Sequence, residues 1–236
     1  MGSAKDIVVK PITSIAAQKV IERVHYSGKV AAISQLHFGV FMNGSLEGAM
    51  QFGPPIDRRK LLPLVEGTKF NDFLELNRMA FSSVLPRNSE SRAISIAMRL
   101  IKKHYPQIEW VVSFADGTQC GDGTIYRASG FVLTAVKKNT TIKRLTDGSI
   151  AASHGTSKKD FSGSTTLGGF QIRYVYFLNP DAKKRLTVPI LPFSMIDDMG
   201  AGMYKGEARV KQAIVGVQPI ERRGGTDPHA PTGNQP

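Results

Sequence analysis

The stretch Ile108-Glu-Trp-Val-Val-Ser-Phe-Ala-Asp-Gly-Thr-Gln-Cys-Gly-Asp-Gly-Thr-Ile-Tyr-Arg-Ala-Ser-Gly-Phe131 gives the strongest indication of the fold. Its apolar run from Ile108 to Ala115 predicts a buried strand, and the glycine-rich turn after it leads into a short helix and a second strand. Asp116 and Cys120 follow the carboxyl end of the first strand, where open α/β sheets usually place their chemistry. The stretch therefore favours an enzyme over a pure binding module.

Composition limits the class of protein. The chain has 236 residues, which suits one domain with a tail, and its hydrophobic content of 41% is ordinary for a globular core. One cysteine excludes an intrachain disulfide framework, and every apolar run is much shorter than the ~20 residues of a membrane span. The N-terminal residues lack a signal-peptide pattern, so we expect the cytosol as the compartment.

The charge of the chain points to a polyanionic partner. The formal net charge is +12, and such an excess favours phosphate binding through counterion release. Between Val132 and Thr187 ten basic residues stand against three acidic ones. Nucleic acid is the first candidate partner, and a basic protein that is merely soluble is the alternative. The residues that we predict to contact DNA are Lys137, Lys138, Lys143, Arg144, Lys158 and Lys159.

Hydrophobic patterns predict the order strand, helix, hairpin, strand, helix, strand, helix, strand. The first helix is capped by Thr13 or Ser14, and Asn43-Gly44 between two apolar runs is a strong hairpin signal. Residues 138–170, rich in Ser, Gly and Thr, predict a basic loop without regular structure, followed by a strand over Gln171–Leu178. A long helix begins at Asn88 or Ser89, and its apolar stripe comprises Ile94, Ala97, Met98, Ile101 and Tyr105.

This order of elements is that of the GNAT superfamily of N-acetyltransferases, and Tyr126-Arg-Ala-Ser-Gly-Phe131 resembles a motif of that fold. The resemblance implies an α/β (α+β) fold with a mixed, mostly antiparallel central sheet flanked by helices. In that fold, the loop before the long helix carries Arg/Gln-x-x-Gly-x-Gly/Ala, whose amides bind the coenzyme A pyrophosphate. Here the corresponding stretch is Arg87-Asn-Ser-Glu-Ser-Arg-Ala93, in which Glu90 replaces the central glycine. Its charge opposes a pyrophosphate, so we do not expect ordinary use of acetyl-CoA.

A narrower family shares more motifs with the chain. They are His25-Tyr-Ser-Gly, Leu74-Glu-Leu-Asn-Arg-Met, Ser89-Glu-Ser-Arg, Ser113-Phe-Ala-Asp and Gly123-Thr-Ile-Tyr-Arg-Ala-Ser-Gly-Phe. Together they resemble the Mom DNA-modification proteins of Mu-like phages over about residues 6 to 190. The resemblance implies conversion of adenine N6 in DNA to a carbamoylmethyl (glycinamide) derivative, which protects phage DNA from host restriction enzymes. The residues that match the family's functional positions are His25, Tyr26, Arg78, Ser91, Asp116 and Tyr126.

The chemistry of two of these residues suits such a reaction. The exocyclic amine of adenine is a poor nucleophile because its lone pair is delocalised into the ring, and the Asp116 carboxylate can accept its proton. The alternative is an aspartate that begins a turn or caps the next helix. Tyr126 stands where GNAT enzymes use a phenol to protonate the departing donor group. Its alternative role is an aromatic that packs with its hydroxyl satisfied.

The remaining candidates each keep a structural alternative. Arg78 lies in an apolar strand, so its charge needs an anion as a partner. The candidates are Glu75, Asp116, a donor carboxyl and a phosphate. The structural alternative is an ion pair without a role in catalysis. His25 and Tyr26 end the first helix, where they line the acceptor cleft, stack on an extruded base or simply pack.

The last candidate, Ser91, positions the donor through its hydroxyl and the neighbouring amides, or is an ordinary first-turn residue. No metal ligands are predicted, because His37, His104 and His154 lack the spacing of a zinc or iron site. Whether iron takes part is left open.

These observations lead to one set of expectations. Residues 1–190 form the catalytic domain, 191–223 a C-terminal extension and 224–236 a disordered tail. Double-stranded DNA is the partner, and the donor is an activated glycine such as glycyl-tRNA, because glycyl transfer to N6 gives an isomer of the carbamoylmethyl product. The oligomeric state is left open. The rival functions are an ordinary acetyl-CoA-dependent N-acetyltransferase and a non-catalytic basic DNA-binding protein.

Overall fold

A computed structural model of the chain describes residues 2–25, 30–117, 121–153, 159–204 and 207–208. Its central sheet consists of β1 (Val8–Pro11), β2 (Leu36–Met42), β3 (Ser45–Gly53), β4 (Phe73–Phe81), β5 (Trp110–Asp116), β6 (Val132–Lys138) and β10 (Phe170–Phe177). The strand order is β1-β2-β3-β4-β5-β10-β6. Neighbours in this sheet are antiparallel except β4 and β5. The predicted mixed, mostly antiparallel sheet is therefore confirmed.

Helices flank this sheet. They are α1 (Ser14–Val24), α2 (Arg58–Leu61), α3 (Ser89–His104), α4 (Thr124–Ala128), α5 (Pro180–Lys184) and α6 (Ser194–Asp198), with short 3-10 turns at Ala4–Asp6 and Leu62–Leu64. Helix α3 buries Ile94, Ala97, Met98 and Ile101 in the largest apolar cluster, whereas α1 buries Ala17, Val20 and Ile21 in another. No helix within the described ranges is long and apolar enough to cross a membrane.

Several local predictions are confirmed by the backbone. The Thr13 side chain accepts a hydrogen bond from the Ala16 amide and caps α1. Asn43 and Gly44 both have positive φ, 50° and 81°, as a two-residue hairpin turn requires. The assignment of Tyr105 to the buried stripe was wrong. The helix ends at His104, because Pro106 disfavours helical geometry at the residue before it, and the Tyr105 side chain is exposed.

Residues 138–170 contain regular structure that was not expected. Strands β7 (Ile142–Arg144), β8 (Ile150–Ala152) and β9 (Thr165–Thr166) form a small sheet in the order β8-β7-β9. The turn between β7 and β8 is built by Asp147, whose carboxylate accepts the Ser149 amide, and by Gly148 at φ 81°. The expectation of a loop without regular structure was therefore wrong over these strands.

The parallel pair at the centre of the sheet determines where a site can form. Strands β4 and β5 pair from Phe73 opposite Trp110 only as far as Glu75 opposite Val112. Beyond this point β4 continues to Phe81 and β5 to Asp116 without pairing with each other. The sheet therefore opens between their carboxyl-terminal halves.

Described residues between 191 and 203 pack on the same core. Leu191 forms a bridge with Leu133, Arg127 lies 5.0 Å over the Phe193 ring, and Ile196 and Ala201 are buried in the main apolar cluster. The Met203 carbonyl then accepts a hydrogen bond of 3.2 Å from the Asp122 amide. Part of the expected C-terminal extension thus reaches the turn that follows β5. The residues expected to form the tail lie outside the described residues.

Candidate active site

A cavity of about 470 Å³ occupies the opening between β4 and β5. Four of the predicted site residues, His25, Arg78, Asp116 and Tyr126, line it. Tyr26 lies outside the described residues, and so does Cys120. The fold thus brings together residues that are separated by up to about a hundred positions in the chain.

The β5–α4 wall of the cavity, formed by residues 114–116 and 121–126, carries Asp116. This residue ends β5 and stands opposite Gln171 of β10 in the ladder. The next amide, of Gly117, donates a 2.7 Å hydrogen bond to the Phe170 carbonyl. Backbone pairing therefore fixes the position of the carboxylate at the end of the strand, as predicted.

Aromatic packing fixes Tyr126 on the same wall. The buried Tyr126 ring lies 5.2 Å from the Tyr174 ring and 5.4 Å from the Phe131 ring, measured between centroids. Gly123 precedes α4 at φ 82°, and a Cβ there would come within 2.5 Å of the Tyr174 ring. Only glycine suits this position, because it needs both the left-handed conformation and the space.

A second aspartate supports this wall. The buried Asp122 accepts hydrogen bonds through Oδ1 from the Thr124 amide at 3.2 Å and the Thr124 hydroxyl at 2.8 Å. Its own carbonyl accepts the Tyr174 hydroxyl. Asp122 was not predicted as a site residue, although an Asp two residues before Thr at a helix start is a recognisable turn signal.

The β4–α1 wall contains a cluster of ionisable groups. His25 and residues 76–79 line the cavity here, and Glu75 precedes them in β4. Burial, together with the Arg78 guanidinium, lowers the pKa of His25 to about 4, so its ring is neutral at pH 7. Burial raises the pKa of Glu75 to about 7, while Arg78 and a hydrogen bond from Asn77 act in the opposite direction. Among the anions considered for Arg78, Glu75 is therefore one that interacts with it.

Asn77 ties two loops to this wall. The Ser34 hydroxyl donates to the Asn77 side-chain oxygen at 2.9 Å, and the Asn77 amide nitrogen donates to the Pro54 carbonyl at 3.3 Å. Asn77 is buried and lines the cavity. Asn77 belongs to the Leu74–Met79 motif, but it was not predicted as a site residue, because its role depends on loops more than twenty residues away in sequence.

The N-terminus of α3 forms a further part of the lining. Glu90, in the first turn of this helix, lines the cavity. Ser91 is not among the lining residues, and its hydroxyl donates to the Asn88 carbonyl at 3.2 Å. A helix N-terminus attracts anions, and Glu90 adds a carboxylate to the first turn of this helix.

Two of the predicted DNA-binding residues, Lys137 and Lys138, lie at the same end of the sheet as Asp116. Gln171 of β10 stands opposite Asp116 on one side and opposite Lys137 on the other. Two strand spacings place the Cα atoms of Asp116 and Lys137 about 10 Å apart. Lys137 and Lys138 are exposed, Lys143 and Arg144 belong to β7, and Lys159 is exposed near Asp147, whereas Lys158 lies outside the described residues.

The described ranges contain no group of three or more His, Cys, Asp or Glu side chains that could hold a metal ion. His154 and Cys120 lie outside these ranges.

Asp116, Tyr126 and Arg78 bring a carboxylate, a phenol and a guanidinium to the lining of one cavity, a combination that suits an enzyme of the group-transfer class. The sequence profile of the Mom protein family matches residues 6–195, and the chain belongs to that family. It is 34% identical over 200 residues to the methylcarbamoylase mom of Escherichia phage Mu, covering 79% of this chain and 82% of that protein.

Solved structures with a similar arrangement are acetyltransferases. The ribosomal-protein-S18-alanine N-acetyltransferase from Escherichia coli is 12% identical, with a TM-score of 0.45 and coverage of 73% of this chain and 94% of that one. The IAA acetyltransferase from Bacillus cereus is 10% identical, with a TM-score of 0.46 and coverage of 72% and 99%.

Proposed function

We propose that this chain is a DNA-modifying transferase that converts adenine N6 in duplex DNA to its carbamoylmethyl derivative. The observation that carries the proposal is the placement of Asp116 and Tyr126 on one cavity wall in a member of the Mom family. Its phage Mu relative is a methylcarbamoylase. In the host cytoplasm such a modification protects phage DNA, because restriction enzymes do not recognise the altered base.

Asp116 and Tyr126 have complementary roles in this proposal. The adenine amine enters the cavity, and the Asp116 carboxylate accepts its proton as the amine attacks the donor. The Tyr126 phenol, held by its aromatic neighbours, protonates the group that departs from the donor. Arg78 stabilises negative charge that develops on the donor carbonyl, and the neutral His25 ring lines the space for the base.

Phosphate contacts come from the basic segment. Lys137 and Lys138 emerge at the same end of the sheet as the cavity, and the strands that follow add Lys143 and Arg144. The Cα separation of about 10 Å between Asp116 and Lys137 suits a base that has left the stack while its backbone stays on the protein surface. Extrusion costs a few kcal/mol, and phosphate binding offsets it.

The donor that we infer is an activated glycine, with glycyl-tRNA as the natural ester. Coenzyme A is disfavoured because Glu90 at the start of α3 presents a negative charge to the cavity. A glycyl ester instead carries a primary amine, whose positive charge is compatible with a carboxylate.

Simple chemistry connects this donor to the product. In the first step adenine N6 forms a bond to the glycyl carbonyl carbon, the ester C–O bond breaks, and the N6 proton moves to Asp116. The glycyl amine then attacks C6 of the ring through a five-membered transition state, and the bond from C6 to the original N6 breaks. The original N6 becomes the carboxamide nitrogen. This second step is an isomerisation and needs no oxidant or reductant.

The test uses plasmid DNA added to a clarified bacterial extract that contains the enzyme and ¹⁵N-glycine. Mass spectrometry of the nucleosides should find carbamoylmethyl-deoxyadenosine with the label on the nitrogen attached to C6 and not in the carboxamide. Digestion of the extract RNA with ribonuclease should abolish the product. Asp116→Ala should leave the DNA unmodified while it still binds DNA.

Other outcomes identify the rivals. Product formed by purified enzyme without RNA or glycine overturns the donor assignment. Tight binding of acetyl-CoA in calorimetry, with no modified nucleoside, indicates an ordinary N-acetyltransferase. Protection of plasmid DNA by Asp116→Ala at the wild-type level indicates a DNA-binding protein without catalysis.

A further inference from the structure

Two loops meet at the β4–α1 wall of the cavity. We call them the rim loops, residues 30–35 and 53–57. The hydrogen bonds of Asn77 to Ser34 and to Pro54 hold both of them to β4. Their backbones also touch, since a Cβ on Gly53 would lie 2.7 Å from the Ser34 Cα and 2.8 Å from the Ile33 carbonyl. The two loops therefore adjoin each other at Asn77, which lines the cavity.

Each rim loop presents an exposed isoleucine. Ile33 is 42% exposed and Ile56 is 90% exposed, the highest value among the large hydrophobic residues that the structure describes as exposed. One exposed isoleucine needs no explanation, but these two lie on adjoining loops beside a cavity with acid and base groups. Pro54 and Pro55 precede Ile56 and restrict its loop.

The chain next to Ile56 is basic. Arg58, Arg59 and Lys60 follow it within four residues, against a single acid, Asp57. Asp57 forms a salt bridge with Lys60, and the Arg58 guanidinium lies 4.2 Å from the centre of the Phe70 ring. Arg59 is exposed. An apolar tip with adjacent cations fits a base step flanked by phosphates better than it fits an apolar protein surface.

Building on the proposed function, we propose that Ile33 and Ile56 form an apolar wedge that enters the base stack beside the target adenine. An extruded adenine leaves a gap in the duplex, and the bases on either side of it lose their stacking partner. Apolar side chains that insert between base steps fill such gaps and favour the kinked, opened duplex. The rim loops thus hold open the DNA whose adenine occupies the cavity.

The test compares duplex plasmid with the same plasmid after heat denaturation, each added to a clarified extract that supplies the donor. The variants are wild type, the double variant Ile33→Ser/Ile56→Ser, and Ile15→Ser. Ile15 is a matched control because it is 65% exposed on α1 but lies outside the rim loops. Modified deoxyadenosine is measured by mass spectrometry, and thermal melting verifies that each variant is folded.

The double variant should modify duplex DNA about tenfold less than wild type and denatured DNA at the wild-type level, because single strands need no opening. Ile15→Ser should match wild type on both DNAs. Equal activity of the double variant and wild type on duplex, or an equal loss on both DNAs, overturns the wedge. If wild type modifies neither DNA, the proposed function itself is wrong, so the two failures are distinguishable.

Discussion

The two walls of the cavity are built by different means. On the β5–α4 wall, strand pairing positions Asp116 and a stack of aromatic rings positions Tyr126. On the β4–α1 wall, burial moves the pKa values of His25 and Glu75 far from their ordinary range, and the Arg78 guanidinium lowers both of them. The first wall depends on backbone and packing, and the second depends on electrostatics.

This difference separates the tasks that an adenine-modifying enzyme must perform. Acid and base groups need fixed distances to the reacting atoms, and packed rings and ladder hydrogen bonds supply these at any pH. A wall that receives a base and a charged donor benefits from groups that are ionised only under certain conditions. Substitutions on the first wall should therefore act through geometry, and those on the second through charge and pH.

Loss of the phenol on the first wall should have the largest effect. Tyr126→Phe keeps the rings that contact Tyr174 and Phe131 but removes the proposed acid. We expect a loss of about 10²–10³-fold in DNA modification, with a change in unfolding free energy of less than about 1 kcal/mol. Modified deoxyadenosine is measured by mass spectrometry and stability by urea unfolding.

Tyr176→Phe is the control for this change. Tyr176 also packs on Phe131, with 5.2 Å between ring centres, but it is not among the residues that line the cavity. Its activity should stay within about twofold of wild type, because no catalytic hydroxyl is lost. A full-activity Tyr126→Phe variant would remove the acid from the proposed mechanism.

The sequence predicted the packed wall better than the charged one, for physical reasons. The position of Asp116 follows from a local signal, an apolar run that ends at a carboxylate. Tyr126 was identified through the resemblance of Tyr126–Phe131 to a motif of the acetyltransferase fold. The sequence left several candidates for the anion next to Arg78, because a strand pattern does not show which side chains are buried together away from water.

Elements that depend on contacts between residues far apart in the chain were also not predicted. Met203 reaches the cavity because its carbonyl bonds to the Asp122 amide, eighty residues earlier in the chain. The strands of the small sheet have only two or three residues each, which is too short for an alternating pattern to be recognised. Asp147-Gly148, which forms the turn between β7 and β8, is a dipeptide that hairpin turns favour, but it was not recognised.

A glycine on the packed wall gives the next largest effect. Gly123→Ala introduces a methyl group that meets the Tyr174 ring and forces an alanine into positive φ. We expect a loss of about 2–3 kcal/mol in unfolding free energy, from crowding and backbone strain together. Gly148→Ala separates the two causes, because its φ of 81° is similar and nothing lies within 4 Å of the added carbon.

The glycine control should cost only about 1 kcal/mol, which is the strain alone. Both variants are measured by urea unfolding at one pH, and Gly123→Ala is also assayed for DNA modification. An equal loss of unfolding free energy in the two variants would mean that the aromatic rings move aside easily. The β5–α4 wall would then be less rigid than the comparison of the two walls requires.

The charged wall should respond to pH in two opposite directions. Glu75 has a native pKa of about 7 against an ordinary value of 4.5, so its contribution to stability is complete below pH 4.5 and is lost as the pH rises to 7. His25 has a native pKa of about 4 against 6.5, so stability is complete above pH 6.5 and is lost as the pH falls to 4. In the wild type these two opposite changes of stability with pH partly cancel.

Single substitutions should reveal how each group makes the stability depend on pH. Relative to wild type, Glu75→Gln should gain stability as the pH rises from 4.5 to 7, and His25→Gln should lose stability as the pH rises from 4 to 6.5. Each change should be about 1–2 kcal/mol across its window, since both groups keep some contact with solvent.

Glu22→Gln, on the exposed face of α1, provides the profile for a surface carboxylate. Urea unfolding at half-unit pH steps measures all four proteins. If the Glu75→Gln and His25→Gln profiles run parallel to wild type, the β4–α1 wall is held by packing like its counterpart, and the contrast between the two walls disappears.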